Sequence, residues 1–557
     1  MKISCLLVFI FFTCFTAEAQ YSRYIIQFSN KGGTPHTLNN PSTYLSSKAI
    51  ARRTRYSIPT DSTDLPAPPR FFDSLRAAGS VVVHSYSKWL NQALIITTDP
   101  AALVKINQLS FVKGSAPIAT RSEIITAPKD KFADEMMSIV DQTTTTKAIL
   151  TDVLNYGSSY AQVHIHEGEF LHNQGFMGQG VTIAMLDAGF YKYDVLTAFD
   201  SLRKNNLILG EYDFVKNETS VKEDHPHGMY CLSILAANRP GSLVGTAPRA
   251  SYYLFRTEDA ATEYPIEEHN WVVAAERADS LGADIISSSL GYTQFDNPVF
   301  NHTYSDMNGH TTMITNGADM AMKKGMIVCN SAGNDGTSSW HYLAAPSDGD
   351  SVLGIGAVNA SGIPASFSSY GPSSDGRIKP NVASVGWGTF FIQTNDAVAQ
   401  GSGTSFSNPN LAGLIACLWQ AFPEFTNMQI LDAVQRSSSQ YTNPDNRVGY
   451  GIPNMPKAFD ILVQKKSEKL LANDWIKVFP NPFSANLTIF LKANNTGKIT
   501  MQLTDMAGRI IKTSQLDVQL GQYYTTSEDN LGRLPKGVYN LLVIDGSEKR
   551  TIRLVKQ

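Results

Sequence analysis

Between residues 156 and about 465, short continuous apolar runs (VTIAML, ADIISSSL, MIVCNSAG and VLGIGAV) alternate with helix-patterned stretches such as PIEEHNWVVAAERADSLG. A strand that is apolar on both faces has to be covered on both faces, and a helix between successive strands supplies the crossover that parallel pairing requires. The pattern predicts an α/β unit: a mostly parallel sheet with helices on both faces. Polar residues gather just after these runs, at the strand ends where open α/β sheets place their sites.

The flanks read differently. Residues 20–118 mix a strand-like YIIQF, a helical RFFDSLRAAG, a strand-like SVVVHSYSKWLNQALIITT and a short helical PAALVKINQ, which predicts a small α+β unit. From 119 to 155 apolar periodicity is lost, and the run Thr143 to Thr146 adds to the picture of an exposed linker open to proteolysis. Residues 474–557 alternate short strands with turn signals and predict a small all-β sandwich. At the other end, MKISCLLVFIFFTCFTAEAQ has one Lys, an apolar run and Ala17-Glu18-Ala19, the pattern of a cleaved signal peptide over residues 1–19. Export is the expectation.

At 557 residues, several cores are needed. A net charge of -3 with 17% charged residues gives no basic footprint for nucleic acid. After signal removal Cys231, Cys329 and Cys417 remain, each in apolar sequence, which suits small buried hydrophobes and neither a disulfide framework nor a zinc site. The cluster His164, His166, Glu167 and His172 reads as a solvated amphipathic helix with no ligand role.

Four polar residues stand where the middle unit would place chemistry. Asp187 follows a buried run in VTIAMLDAGF, His227 opens an apolar helix in DHPHGMYCLSILAA, Asn334 ends a strand in VCNSAGNDG, and Ser405 begins a helix in GSGTSFSNPNLAG. Taken singly each has a common structural explanation as a turn or capping residue. Together they supply a nucleophile, a base, a carboxylate to orient the base and an oxyanion donor, the parts of an acyl-transfer site. The chain order Asp, His, Ser and the absence of a G-x-S-x-G elbow around Ser405 disfavour lipase-like chemistry.

On these motifs residues 156–465 resemble a subtilisin-like serine protease of the subtilase family. SSSLG at 287–291 is similar to the segment that walls that family's substrate cleft, and ASFSSYGPSSDGRIKPNV to a stretch before its nucleophile. The resemblance implies Ser405 as nucleophile, His227 as base, Asp187 as its orienter and Asn334 as oxyanion donor. It also implies Ser289, Leu290 and Gly291 facing Ser331, Ala332 and Gly333 across a cleft that pairs with an extended peptide. His225 is a rival for His227, but only His227 precedes a Gly. Met229, Phe406, Ser407 and Asn410 depart from the family's usual residues and leave cleft shape open. Residues 20–118 resemble an inhibitory propeptide, and residues 474–557, with VFPNPFSANLTI and LPKGVYNLLV, the C-terminal sorting module of the type IX secretion system. The implied protein is a secreted serine endopeptidase made as a zymogen, at the cell surface or in the medium. Its implied partners are a protein or peptide substrate, its own propeptide and the type IX machinery; no nucleic acid partner and a monomeric state are expected. No cofactor is required for the chemistry, and structural calcium is left open. The alternatives are a subtilase-fold surface binding protein, or an esterase or ligase using the same triad.

Overall fold

The four apolar runs form the strands Thr182–Asp187, Ile285–Ser288, Ile327–Ser331 and Leu353–Asn359, buried along almost their whole length. They are central in an eight-stranded sheet whose order is Val398–Ser402, Val382–Ile392, Leu353–Asn359, Ile327–Ser331, Ile285–Ser288, Thr182–Asp187, Ser251–Arg256, Ile208–Asp213. Every pairing is parallel except that of Val382–Ile392 with Val398–Ser402 at one edge. The computed structural model describes residues 21–120, 130–135 and 152–557. The signal-peptide reading and Thr143 to Thr146 lie outside the described residues.

The order of the strands places the site. The chain leaves Thr182–Asp187 for the far edge, returns through Ser251–Arg256, and then crosses to Ile285–Ser288 on the opposite side of the first strand. Such a reversal opens a crevice at the carboxyl ends. Asp187 ends the first of these strands, Glu258 lies just beyond the second and Ser289 just beyond the third. Two helices, His227–Ala236 and Thr404–Ala421, run through the interior; the first is buried on all sides and the second over Thr404–Trp419. A helix packed on every side carries no polar stripe, which accounts for its uniformly apolar sequence. Cys231, Cys329 and Cys417 are free and fully buried, as their surroundings predicted.

Residues 21–120 form an antiparallel sheet ordered Val82–Ser87, Gln92–Ile96, Tyr21–Phe28, Val112–Thr120, with helices Ser47–Arg55, Pro69–Ala77 and Pro100–Asn107. The helices cover one face around Ile26, Phe71, Leu75 and Ile106. The stretch expected as one strand is a hairpin, turned at Asn91, whose φ is 52°. The other face places Ile25, Leu94 and Ile118 against Ile266 and Met313 of the large domain. Polar contacts fix this docking: Glu276 on helix Ile266–Leu281 accepts the backbone N–H of Lys88 at 2.8 Å and of Trp89 at 3.0 Å, and the Ser87 hydroxyl. Arg52 and Arg53 both pair with buried Asp279, and Lys324 donates to Asp64 at 2.9 Å.

Two expectations are corrected. His166 and His172 are fully buried, in or beside the short helices Tyr160–His164 and Glu169–Asn173, so the solvated amphipathic helix does not exist. His166 is held between the Pro453 carbonyl and the Ser384 hydroxyl, and His172 between the Tyr156 hydroxyl and the Thr246 carbonyl. Burial lowers both imidazole pKa values to about 4, so both are neutral near neutral pH. Residues 130–135, read as part of an exposed linker, are seated in the crevice of the large sheet, as detailed below.

The chain divides into two units, Met1–Asn454 and Met455–Gln557. The second opens with helix Met455–Leu470, whose first part the sequence pattern assigns to the α/β unit, and continues as all-β structure. Its three-stranded sheet is ordered Ile476–Phe479, Leu487–Lys492, Tyr523–Glu528; its four-stranded sheet is ordered Ile510–Val518, Gly497–Asp505, Gly537–Asp545, Glu548–Lys556. Alternating residues Leu487, Ile489, Leu491, Met501, Leu503, Leu541 and Val543 form one core. Among the described residues no helix is long and apolar enough to cross a membrane.

Candidate active site

Asp187, His227, Asn334 and Ser405 converge at the crevice. His227 Nδ1 lies 2.6 Å from Asp187 Oδ1, and both side chains are almost fully buried. The contact depends on Gly228: a Cβ there would come within 2.5 Å of the Gly189 carbonyl oxygen and 2.8 Å of Asp187 Cβ. Only glycine lets the start of this helix press against the strand end. His225 faces elsewhere, pairing with Asp130 at 3.2 Å and accepting the His227 backbone N–H through Nδ1.

Ser405 is the second residue of helix Thr404–Ala421, with Pro409 four residues later. Proline has no N–H, so the helical bond that would end on the Ser405 carbonyl is missing. That carbonyl is satisfied from outside the helix, by Ser289 Oγ at 2.8 Å and Cys231 Sγ at 3.3 Å. The proline thus ties the turn that bears Ser405 to Ser289 and Cys231. Asn334 is oriented from the same turn: its Oδ1 accepts Thr404 N–H at 2.9 Å and Thr404 Oγ1–H at 3.0 Å, which leaves Nδ2 facing the crevice.

A residue that the sequence did not reveal completes the constellation. Glu135, in the short 3₁₀ turn Ala133–Glu135, places its carboxylate among the other groups. Its Oε1 accepts from Ser405 Oγ at 2.8 Å and from Asn334 Nδ2 at 2.6 Å, and its Oε2 lies 2.9 Å from His227 Nε2. Phe132 stacks on the His227 ring with centroids 4.0 Å apart. Lys131 donates to Glu263 at 2.9 Å, to Glu267 at 3.1 Å and to Glu258. Burial opposes charge on His227, but Asp187 and Glu135 outweigh it and raise the imidazole pKa to about 10. His227 is therefore an imidazolium that donates to a carboxylate on each side.

Of the cleft residues, Ser289, Leu290, Gly291, Ser331 and Gly333 line the pocket that holds Ser405 and Asn334. Ala332 does not: its N–H donates to Ile355 and its carbonyl accepts from Ala344, so its backbone belongs to the frame of the wall. Met229, Phe406, Ser407 and Asn410 are fully buried, Phe406 stacks on Phe391, and none of the four lines this pocket.

Three parts of the chain match known families. Residues 178–451 match the Subtilase family, residues 23–131 the Peptidase S8 propeptide domain of Bacteroidota, and residues 477–557 the Secretion system C-terminal sorting domain. Subtilisin NAT of Bacillus subtilis subsp. natto is 30% identical over 295 residues, 52% of this chain and 68% of that protein. The chain belongs to the subtilase family. Subtilisin E of Bacillus subtilis (strain 168) matches to the same extent, and serine protease AprX of the same strain is 26% identical over 320 residues, 52% of this chain and 68% of the relative. The protein is a serine-type endopeptidase with a zymogen propeptide, and its sorting domain directs it to the cell surface or the medium. The propeptide match runs to residue 131, past the unit read from the sequence and into the segment that enters the crevice.

Subtilases need no cofactor for catalysis, though many bind calcium. Among the described residues two sets of carboxylates converge closely enough for a cation, Asp213–Glu218–Asp224 and Glu258–Glu263–Glu267. Arg256 and Lys216 already pair with Asp213 and Asp224 in the first, and Lys131 fills the second. Each set has its countercharge from the chain itself, so neither fits a resident calcium in this form of the protein.

Proposed function

We propose that this subtilase cleaves peptide bonds through an acyl-enzyme. Ser405 Oγ attacks the scissile carbonyl carbon while His227 Nε2 takes its proton, which then goes to the leaving amine; water reverses the sequence to free the acid. Asp187 fixes the imidazole through Nδ1 and stabilises its charged form. Asn334 Nδ2 and the Ser405 N–H stabilise the oxyanion of the tetrahedral intermediate. The substrate is a protein or peptide segment that extends along Ser289–Gly291 and takes up main-chain pairing there.

The observation that carries this reading is the seat of the Glu135 carboxylate. A single anion is held at once by Ser405 Oγ, Asn334 Nδ2 and His227 Nε2. In acyl transfer the same three groups have to meet at one carbonyl, Ser405 Oγ at its carbon, Asn334 Nδ2 at its oxygen and His227 Nε2 at the proton in flight. The same seat explains latency: with Glu135 and Phe132 in place, no scissile carbonyl can approach Ser405. The segment 130–135 is therefore the inhibitory end of the propeptide, and maturation requires a cut in the stretch 119–155 that lets it leave. The type IX machinery is the partner of residues 474–557, and the enzyme works as a monomer.

The test is labelling by a serine-directed fluorophosphonate together with turnover of a quenched peptide, on the secreted full-length product. Wild type should label at Ser405 and cleave the peptide. Ser405→Ala should do neither, keep the wild-type circular dichroism, and accumulate as uncut precursor. Comparable turnover by Ser405→Ala would refute the mechanism.

A further inference from the structure

The pocket around Ser405 and Asn334 continues to Glu258 and Glu263 without a break. At that end sits the Lys131 ammonium, with four oxygens converging on it: Glu258 Oε2, Glu263 Oε2 at 2.9 Å, Glu267 Oε1 at 3.1 Å and the Thr262 carbonyl at 3.2 Å. The cradle is held independently of its occupant. Glu267 accepts the backbone N–H of Asp259 at 2.8 Å and of Tyr264 at 3.2 Å, and Glu258 accepts the Tyr292 hydroxyl. Lys131 belongs to the segment that has to leave before any substrate is cut. Once it leaves, three carboxylates within 4.8 Å of one another lose this cation, and two of them are almost fully buried. Burial raises the proton affinity of all three even with Lys131 among them.

We infer that Glu258, Glu263 and Glu267 form a specificity subsite of the mature enzyme that takes a lysine side chain of the substrate, on the acyl side of the scissile bond. The inference rests on the peptidase reading above and names the substrate class for it. The pocket runs beside Ser289, Leu290 and Gly291, the stretch of cleft along which the substrate main chain is proposed to pair. Lysine rather than arginine follows from shape: oxygens converging on one nitrogen suit a compact ammonium with three donors, whereas a guanidinium spreads its donors along a planar fork. Lys131 is thus a pseudosubstrate side chain, with Glu135 holding the catalytic groups beside it.

The experiment uses the secreted protein as it leaves the cell and quenched peptides with lysine, norleucine, arginine or glutamate at each of the four positions before the cleaved bond. At one position lysine should raise kcat/KM at least about tenfold over norleucine, with arginine between them and glutamate lowest. Glu263→Gln, at a side chain 22% exposed and near in shape to the original, should bring the lysine-to-norleucine ratio to about three or less. Glu263→Lys, which puts an ammonium of the chain's own beside Glu258 and Glu267, should abolish the lysine preference. Equal rates for lysine and norleucine on wild type would overturn the inference. So would a uniform loss on every peptide in Glu263→Gln, which marks a structural role, or abolition of the lysine preference by millimolar calcium, which marks a metal site. Absence of both turnover and fluorophosphonate labelling would instead refute the peptidase reading, and the subsite with it.

Discussion

Replacing Glu135 with Gln should convert a latent precursor into a leaky one. The Glu135 side chain is 9% exposed and that of His227 2%, so their 2.9 Å charge pair is little screened by water. Removing the charge of one partner of a buried pair costs about 3–5 kcal/mol. At 1.4 kcal/mol per tenfold, that shifts the balance between seated and unseated segment by about 10²- to 10⁴-fold. The amide oxygen of the replacement can still accept from Ser405 and Asn334, and Lys131 and Phe132 keep their own contacts. The lower end, about 10²-fold, is therefore the expected gain. The readout is the rate at which fluorophosphonate labels Ser405 in the intact precursor, separated from processed protein on a gel at early times. Glu135→Asp keeps the charge on a shorter arm and should fall between wild type and Glu135→Gln. Labelling within twofold of wild type for both Glu135→Gln and Glu135→Ala would refute the idea that this carboxylate closes the site.

Other expectations follow from the same geometry. Asn334→Ala should lower kcat by about 10²- to 10³-fold with little change in KM, because its amide meets full negative charge only in the transition state; steady-state kinetics on a neutral peptide check this. The plug should also loosen with rising pH. His227 is raised from 6.5 to about 10 in the closed precursor, so its contribution is complete below about pH 6.5 and is lost as pH rises through about 10. His225 loses Asp130 when the segment leaves, whereas Asp187 and Cys231 stay beside His227 in both forms. Precursor labelling divided by mature-enzyme labelling should therefore climb between pH 7 and pH 10, and the climb should flatten in Glu135→Gln.

What could be read from the chain was what is locally encoded. Strands such as Thr182–Asp187 and Ile327–Ser331 are buried on both faces, so their apolar runs are unbroken, and each catalytic candidate sits at the junction of such a run with a turn or helix. Other elements lacked a local signal. Ile208–Asp213 is an edge strand with mostly half-exposed residues, and Val382–Ile392 is interrupted by Gly386 and Gly388. His166 and His172 looked solvent-facing because histidine is polar; only the tertiary partners Pro453, Ser384, Tyr156 and Thr246 make their burial tolerable. Glu135 is the extreme case. Its three partners lie 92, 199 and 270 residues away along the chain, and nothing in KDKFADE has a period or motif that points to them.

The two levels of this inhibitor differ in kind, and the difference sets the order of activation. The domain 21–120 is held through an apolar face, a glutamate that receives two backbone amides and a shared network around Asp64 and Asp279. The segment 130–135 is held by a few charged contacts and one stacked ring. Contacts so few can open locally while the larger face stays docked. Moreover, the group that meets Ser405 is a side-chain carboxylate from a 3₁₀ turn, and an ionised carboxylate resists nucleophilic attack where a peptide carbonyl would not. The plug can therefore occupy the catalytic groups without being consumed by them. Opening of the plug should therefore come first, cutting of the connecting chain should follow, and loss of the docked domain, with its larger buried face, should come last.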